Sequence, residues 1–412
     1  MFIKGLLASG LVIIGAAVSR AEPAYHLEAV WGGGNHGPGR FQEPVGIAVD
    51  RKGDIYVADS RDRRVVKLSG DGEFSLQFGE QGPGPGRFEK PMDVAVSSSG
   101  VVYVADFDSD RVQAFSPEGK HLYDWGGPGE ADGRFRGAAG LALDASGYVY
   151  VADFYNNRVQ VFDSKGSWLR TIGRKGRGAG ELNYPTGLAF DLAGNLIVAD
   201  AYNHRLQTFS PEGKAIATIG SRWKRLFGSS RALRVPSGIA VDAQGGLHVA
   251  DSGHKRVVLL DRDGSYRGDW TVTGDANPGT YSPTRIAATP DGKVLAVDTA
   301  NNRILVLRPG AAAQTASPAA PSPARSKPVR GDVLVRVAGM ACPFCAYGIE
   351  KHLKALPGVQ SARVNLGEGT AVLELRPGQK VSDEEIRDAV QKAGFKASEI
   401  KDISEASAGG LP

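Results

Sequence analysis

The 412-residue chain carries 49 basic and 45 acidic residues, a formal net charge of +4, too balanced to make it a nucleic-acid binder on charge alone. Glycine (55) and proline (23) exceed average usage without reaching the ~25–30% combined share of a low-complexity chain, so many tight turns between short strands are expected. Hydrophobic residues make up 42% of the sequence, enough for a large core, and two cysteines exclude a disulfide-rich scaffold.

The chain opens with Lys4, an apolar run from Gly5 to Val18, and Ser19-Arg20-Ala21. That order reads as an export signal over residues 1–21, cleaved after Ala21. The run is short against the ~20 residues of a membrane-spanning helix. Secretion across the inner membrane, into a bacterial periplasm, is the expected localisation.

From residue 22 to 310 one unit recurs. Its register is set by Asp59, Asp106, Asp153, Asp200, Asp251 and Asp298, spaced by 47 residues with one interval of 51. Five positions after each stands an arginine: Arg64, Arg111, Arg158, Arg205, Arg256 and Arg303. Every unit alternates apolar and polar residues in short runs, such as VGIAVD, DIYVAD, RVVKLS and EFSLQFG, separated by glycine turns. Four such strands per repeat make a propeller blade. The sixth unit stops after its third run, and Tyr25–Gly32 is expected to supply the missing strand and close the ring. The Asp and Arg of each repeat are expected to tie their blade internally, by an ion pair or a capping hydrogen bond.

The phrases P-x-G-I-A-V-D, G-x-I-Y-V-A-D and N-x-R-V-Q-x-F resemble the NHL-repeat family of six-bladed β-propellers, over Tyr25 to Gly310. Unit six departs with Arg285 in place of glycine, which is expected to alter its first turn. The loops after the aspartates place Phe107, Phe154, Tyr155, Asn156, Tyr202, Asn203, His204 and His254 around one face. Tyr155, Tyr202, His204 and His254 are the candidate contacts for a ligand or partner, against the plainer reading of turn residues and solvated histidines. The long interval holds SRWKRLFGSSRALRVP, a candidate contact to an acidic partner or a membrane surface, although such runs are more often solvated loops.

Residues 311–330 are rich in Pro, Ala and Ser and read as a linker. Residues 331–404 have another texture: DVLVRV, a helix from Pro343 to Leu356, VQSARVNL, TAVLEL, a helix over Asp383 to Ala393 with Ser382 and Glu385 as capping box, and FKASEIKDI. Residues 405–412 form a tail. The expected fold is an all-β six-bladed β-propeller joined to a small α+β ferredoxin-like domain of βαββαβ order.

In GMACPFC, Cys342 and Cys345 stand at i and i+3 where a turn opens a helix. That spacing converges two sulfurs on one ion, and the helix N-terminus favours thiolates. Two sulfurs fall short of a four-coordinate structural zinc site and suit a linear or trigonal soft ion. A redox pair and a structural disulfide are the competing readings, and an oxidising compartment favours the disulfide unless metal or reductant protects the thiols.

The small domain resembles the heavy-metal-associated family, which includes copper chaperones, the metal-binding modules of copper ATPases and the periplasmic mercuric-ion-binding protein. The resemblance runs through Gly339, Met340, Cys342 and Cys345, then Leu356-Pro357-Gly358-Val359 and Ala393-Gly394-Phe395. It implies that Cys342 and Cys345 bind Cu(I) or Hg(II), with Zn(II) or Cd(II) as further cargo. It also implies that Met340 shapes the loop and that Phe395 packs beside the site. Gly348 is small enough to let a partner approach. The expected function is capture of a soft cation by an exported, non-enzymatic protein whose propeller docks a ligand or another protein, such as a metal donor or acceptor. The alternative is a propeller enzyme of lyase or lactonase type with an accessory metal module. RNA binding, which some NHL proteins perform, is disfavoured by export and by the even charge.

Overall fold

The computed structural model describes residues 25–33, 40–220, 232–271, 281–310, 332–338, 340, 343–365 and 368–403. The export signal, most of the basic loop, the linker and the tail read from the sequence lie outside these residues.

Six four-stranded antiparallel sheets follow one another along the chain. Blade one comprises Pro44–Val49, Ile55–Asp59, Arg64–Leu68 and Phe74–Phe78. The second strand of every blade is buried end to end, as in IYVAD and LIVAD, because neighbouring blades cover both its faces. Such a strand reads as an unbroken apolar run, while the outermost strand reaches solvent. The ring closes as expected: Tyr25–Gly32 pairs antiparallel with Arg303–Pro309, from Tyr25 opposite Pro309 to Gly32 opposite Arg303. The buried Tyr25 hydroxyl bonds His248 Nδ1 at 2.7 Å, and His248 Nε2 bonds Asp242 at 2.9 Å, so the closing strand is also pinned to blade five.

All six Asp–Arg pairs form, at 2.9, 3.8, 2.8, 2.7, 2.9 and 2.8 Å in chain order. Every one of these aspartates is fully buried. Each accepts a backbone N–H from the loop entering its own blade: Gln42, Lys90, Arg136, Asn183, Arg234 or Ser282. The arginines of blades one to five donate to carbonyls of those same loops. The repeated pair therefore fastens each blade-to-blade connection to the blade interior.

Glycine serves two ends here. After Pro44–Val49, Asp50 Oδ1 accepts the N–H groups of Lys52 and Asp54 at 2.8 and 2.9 Å, and Gly53 closes the turn at φ 87°, where a side chain is strained. Around the axis the first strands crowd together, so that a Cβ at Gly140 would overlap the Thr186 carbonyl.

Two blades break that axial ring of glycines. Asp93 and Arg285 occupy the position of Gly46, Gly140, Gly187 and Gly238, and they pair with each other, Nε to Oδ2 at 3.1 Å, each 4% exposed. The Arg285 guanidinium also donates to the carbonyls of Ser237, Ala139 (2.9 Å) and Thr186 (3.3 Å), and Asp93 accepts the Leu141 N–H at 2.9 Å. The strand Pro283–Ala288 persists. The expectation that Arg285 alters the first turn is thus corrected: its side chain runs inward to an axis whose carbonyls and carboxylate satisfy it.

In the small domain, Val333–Ala338, Val359–Asn365, Thr370–Leu375 and Lys396–Asp402 form one sheet in the order second, third, first, fourth. Helices α1 (Pro343–Lys354) and α2 (Asp383–Lys392) pack on it through Ile349, Leu353, Ile386 and Val390. The capping box of Ser382 and Glu385 is present at the start of α2.

Candidate metal centre

Helix α1 has two apolar faces. Ile349 and Leu353 enter the core of the small domain, while Phe344, Cys345 and Tyr347 join a second cluster with Val45, Met92, Phe107 and Phe154 of the propeller. Positions 344, 347, 348 and 351 recur at three- and four-residue spacing, which aligns them on one side of a helix. The small domain accordingly sits on the propeller face with α1 over the axis.

Phe344 is fully buried, its ring centroid 4.5 Å from the guanidinium carbon of Arg285 and 6.4 Å from the ring centroid of Phe154. Beside it, Lys90 Nζ lies 3.1 Å from Glu350 Oε2 and 3.5 Å from the centre of the Tyr347 ring. Glu350 also accepts the N–H of Val364 at 2.8 Å, which couples this ion pair to the small domain's own sheet. Lys351 Nζ bonds Asp110 Oδ1 at 2.8 Å and the Phe107 carbonyl at 3.0 Å. Burial pushes the carboxyl of neighbouring Glu43 up, but Lys90 and Arg61 outweigh it and hold Glu43 below its ordinary value. The seam is thus apolar at its centre and charge-paired at its edge.

Cys345 stands in the first turn of α1, fully buried, and the Tyr202 hydroxyl donates to its Sγ. Burial drives the Tyr202 phenol far above its ordinary value, so it keeps its proton and acts as a donor. The Phe395 ring meets Tyr202 edge-on at 5.8 Å, and Met340 packs half-buried on the small-domain core. Cys345 takes part in a disulfide. The one other cysteine of the chain, Cys342, lies outside the described residues.

Residues 334–396 match the model of the heavy-metal-associated domain. Residues 41–68 match the NHL repeat and residues 140–224 a six-bladed β-propeller family. The chain thus joins an NHL-repeat propeller to a heavy-metal-associated domain. Copper-transporting ATPase 2 of Homo sapiens is 36% identical over 86 residues, 21% of this chain and 6% of that protein. Copper-transporting ATPase HMA4 of Oryza sativa subsp. japonica is 33% identical over 87 residues, 21% of this chain and 9% of that protein. The chain therefore spans under a tenth of these relatives' length. Among solved structures, a streptogramin B lyase aligns at 14% identity over 69% of this chain and 98% of its own, with a TM-score of 0.49. Hydrazine synthase of Kuenenia stuttgartiensis aligns at 14% over 68% and 99%, with a TM-score of 0.47.

The four face candidates divide. Tyr155 and Tyr202 come together against the heavy-metal-associated domain, Tyr155 meeting the His352 ring edge-on at 5.4 Å. His204 and His254 do not join them. His204 takes the left-handed position of its turn (φ 56°), with Nδ1 accepting the Val235 N–H at 3.2 Å. His254 Nδ1 bonds Asp251 at 2.9 Å. Asn156 and Asn203 bond the aspartates of their own blades. Among the described residues no three His, Cys, Asp or Glu side chains gather where they would hold a metal ion. Sequence reasoning missed Phe344, Tyr347, Lys90 and the Asp93 partner of Arg285. The available signal was a second aromatic pair one turn apart on α1, off the Ile349–Leu353 face.

His352 supplies a pH test of this seam. Burial first, then Lys351 and Arg136, lower its pKa to about 4 from the model-compound value of 6.5. The docked form then binds fewer protons than the undocked form between pH ~4 and ~6.5, so acidification through that window weakens docking. Small-angle scattering at pH 7 and pH 5 should show a larger radius at the lower pH, a change that His352→Gln should diminish.

Proposed function

We propose that the protein is an exported binder of Cu(I), held between the thiolates of Cys342 and Cys345, with the propeller as the scaffold that carries the metal domain. The observation that carries this reading is the coincidence of the chain's only two cysteines with GMACPFC, at the opening of α1 in the heavy-metal-associated domain. Two thiolates three residues apart suit a soft ion of low coordination number. The copper-transporting relatives favour copper over mercury as cargo. Loading needs the reduced pair, because only thiolates offer the charge and lone pairs that a soft cation takes. In the reduced state the Tyr202 hydroxyl would donate to the Cys345 thiolate and orient it. Export rests on Lys4 and the apolar run behind it, and the partner is a protein that gives or receives copper. The scaffold role is supported by an axis filled with the Arg285–Asp93 pair and covered by Phe344.

The test is an anaerobic titration of the reduced chain with Cu(I) against a chromophoric chelator. Wild type should take up a single equivalent and the Cys342→Ser, Cys345→Ser double variant none. Equal uptake by both would overturn the reading, and a parallel Hg(II) titration decides between the two cargoes.

A further inference from the structure

We infer that the propeller face is the resident docking partner of the metal-bearing helix, and that metal at Cys345 passes to a thiolate-bearing acceptor protein only after α1 leaves that face. The inference rests on the copper reading above. An acceptor must bring its own sulfur to the ion as the Cys345 bond breaks, and Cys345, in the first turn of α1, has no exposed surface and meets Tyr202 of the propeller through its Sγ.

Three observations show a face shaped for this helix. The first is steric: a Cβ at Gly348 would run into the Tyr155 hydroxyl, and one at Gly394 into that of Tyr184. At these two glycines of the small domain the propeller therefore presents a phenol. The second is electrostatic. Lys90 with Glu350 (3.1 Å) and Lys351 with Asp110 (2.8 Å) both cross the seam, and Lys90 and Glu350 are each under a tenth exposed. Their signs alternate across it, which fixes orientation more than affinity.

The third is the breaking of the repeat. Directly after the blade aspartates, blades one, five and six carry Ser60, Ser252 and Thr299, whose hydroxyls donate to the carbonyls of Pro91, Pro283 and Pro44. Blades two and three carry Phe107 and Phe154 at that position, and these lie under α1. An aromatic patch of this kind exposed on a free propeller face would be unfavourable, so the docked form is the resting one. The contact is thus internal to the chain: the approach that Gly348 permits is the approach of Tyr155.

The experiment measures maleimide labelling of Cys345 in the reduced, metal-free full chain, read by mass spectrometry. Gly348→Ala blocks docking from the small-domain side while favouring the helix itself, and Lys90→Ala weakens it from the propeller side, which guards against a misfolded single variant. Both should label about tenfold faster or more than wild type, and copper uptake at equilibrium should stay at a single equivalent in all three. Equal labelling rates with copper uptake intact would overturn the inference and leave the copper reading standing. Failure of wild type to take up copper would instead overturn that reading.

Discussion

Arg285→Ala is expected to lower the stability of the propeller by about 3–5 kcal/mol, the cost of stripping one partner from a buried ion pair. Asp93 is 4% exposed and is held by Arg285 and by the Leu141 N–H. Without the guanidinium its charge is uncompensated at the axis, and the carbonyls of Ala139, Thr186 and Ser237 lose their shared donor. The double variant Asp93→Gly, Arg285→Gly restores the glycine found in the other four blades and should recover most of the loss. The deficit also has a pH signature. Burial already raises the Asp93 pKa, and removing Arg285 raises it further. The folded variant then keeps a proton that the unfolded chain releases above ~3.9, so its stability falls as pH rises. Urea unfolding at pH 5 and pH 8 should show the larger deficit at pH 8; a deficit under about 1 kcal/mol at both would contradict the axial pair as a stabilising unit.

Asp200→Ala is expected to be comparably costly, again about 3–5 kcal/mol. The carboxylate is fully buried and accepts from the Asn183 N–H at 2.7 Å, Asn203 at 2.8 Å, Arg205 at 2.7 Å and Gln207 at 3.1 Å. Arg205, itself 8% exposed, passes the connection on to the carbonyls of Gly178 and Glu181. Alanine leaves this guanidinium buried without a counter-charge and frees the loop between blades three and four. Because each blade contacts its neighbours in a ring, the effect should appear as a lower unfolding midpoint of the whole propeller. A midpoint unchanged from wild type would show that the repeated pair adds nothing to stability.

The propeller was legible because its information is local and repeated. The Asp-x4-Arg spacing sets blade register, the VYVAD-type runs mark strands buried on both faces, and the strand missing from blade six has one counterpart, Tyr25–Gly32. The small domain was legible for similar reasons, through the Ile349–Leu353 spacing and the Ser382–Glu385 capping box. Contacts between residues far apart in sequence were not. Arg285 looked like a defect in blade six because Asp93 lies two blades away around the ring, and neither residue by itself signals the other. His204 looked like a face ligand because its left-handed backbone position, which its turn requires, is invisible in the letter His.

The site was legible only in half. The cysteine spacing pointed to soft-metal chemistry, and residues 334–396 match the heavy-metal-associated domain. Nothing in GMACPFC states that the phenylalanine between the cysteines is seated on Arg285 of another domain. The clue lay in composition by blade: Phe107 and Phe154 of blades two and three stand where blades one, five and six carry serine or threonine, and Tyr155 and Tyr202 follow one position on in blades three and four.

Copper-edge X-ray absorption of the reduced, copper-loaded full chain tests the central claim most directly. The account predicts a first shell of sulfur from the cysteine pair, abolished by Cys345→Ser; a shell made of nitrogen and oxygen alone, unchanged by that substitution, would contradict it.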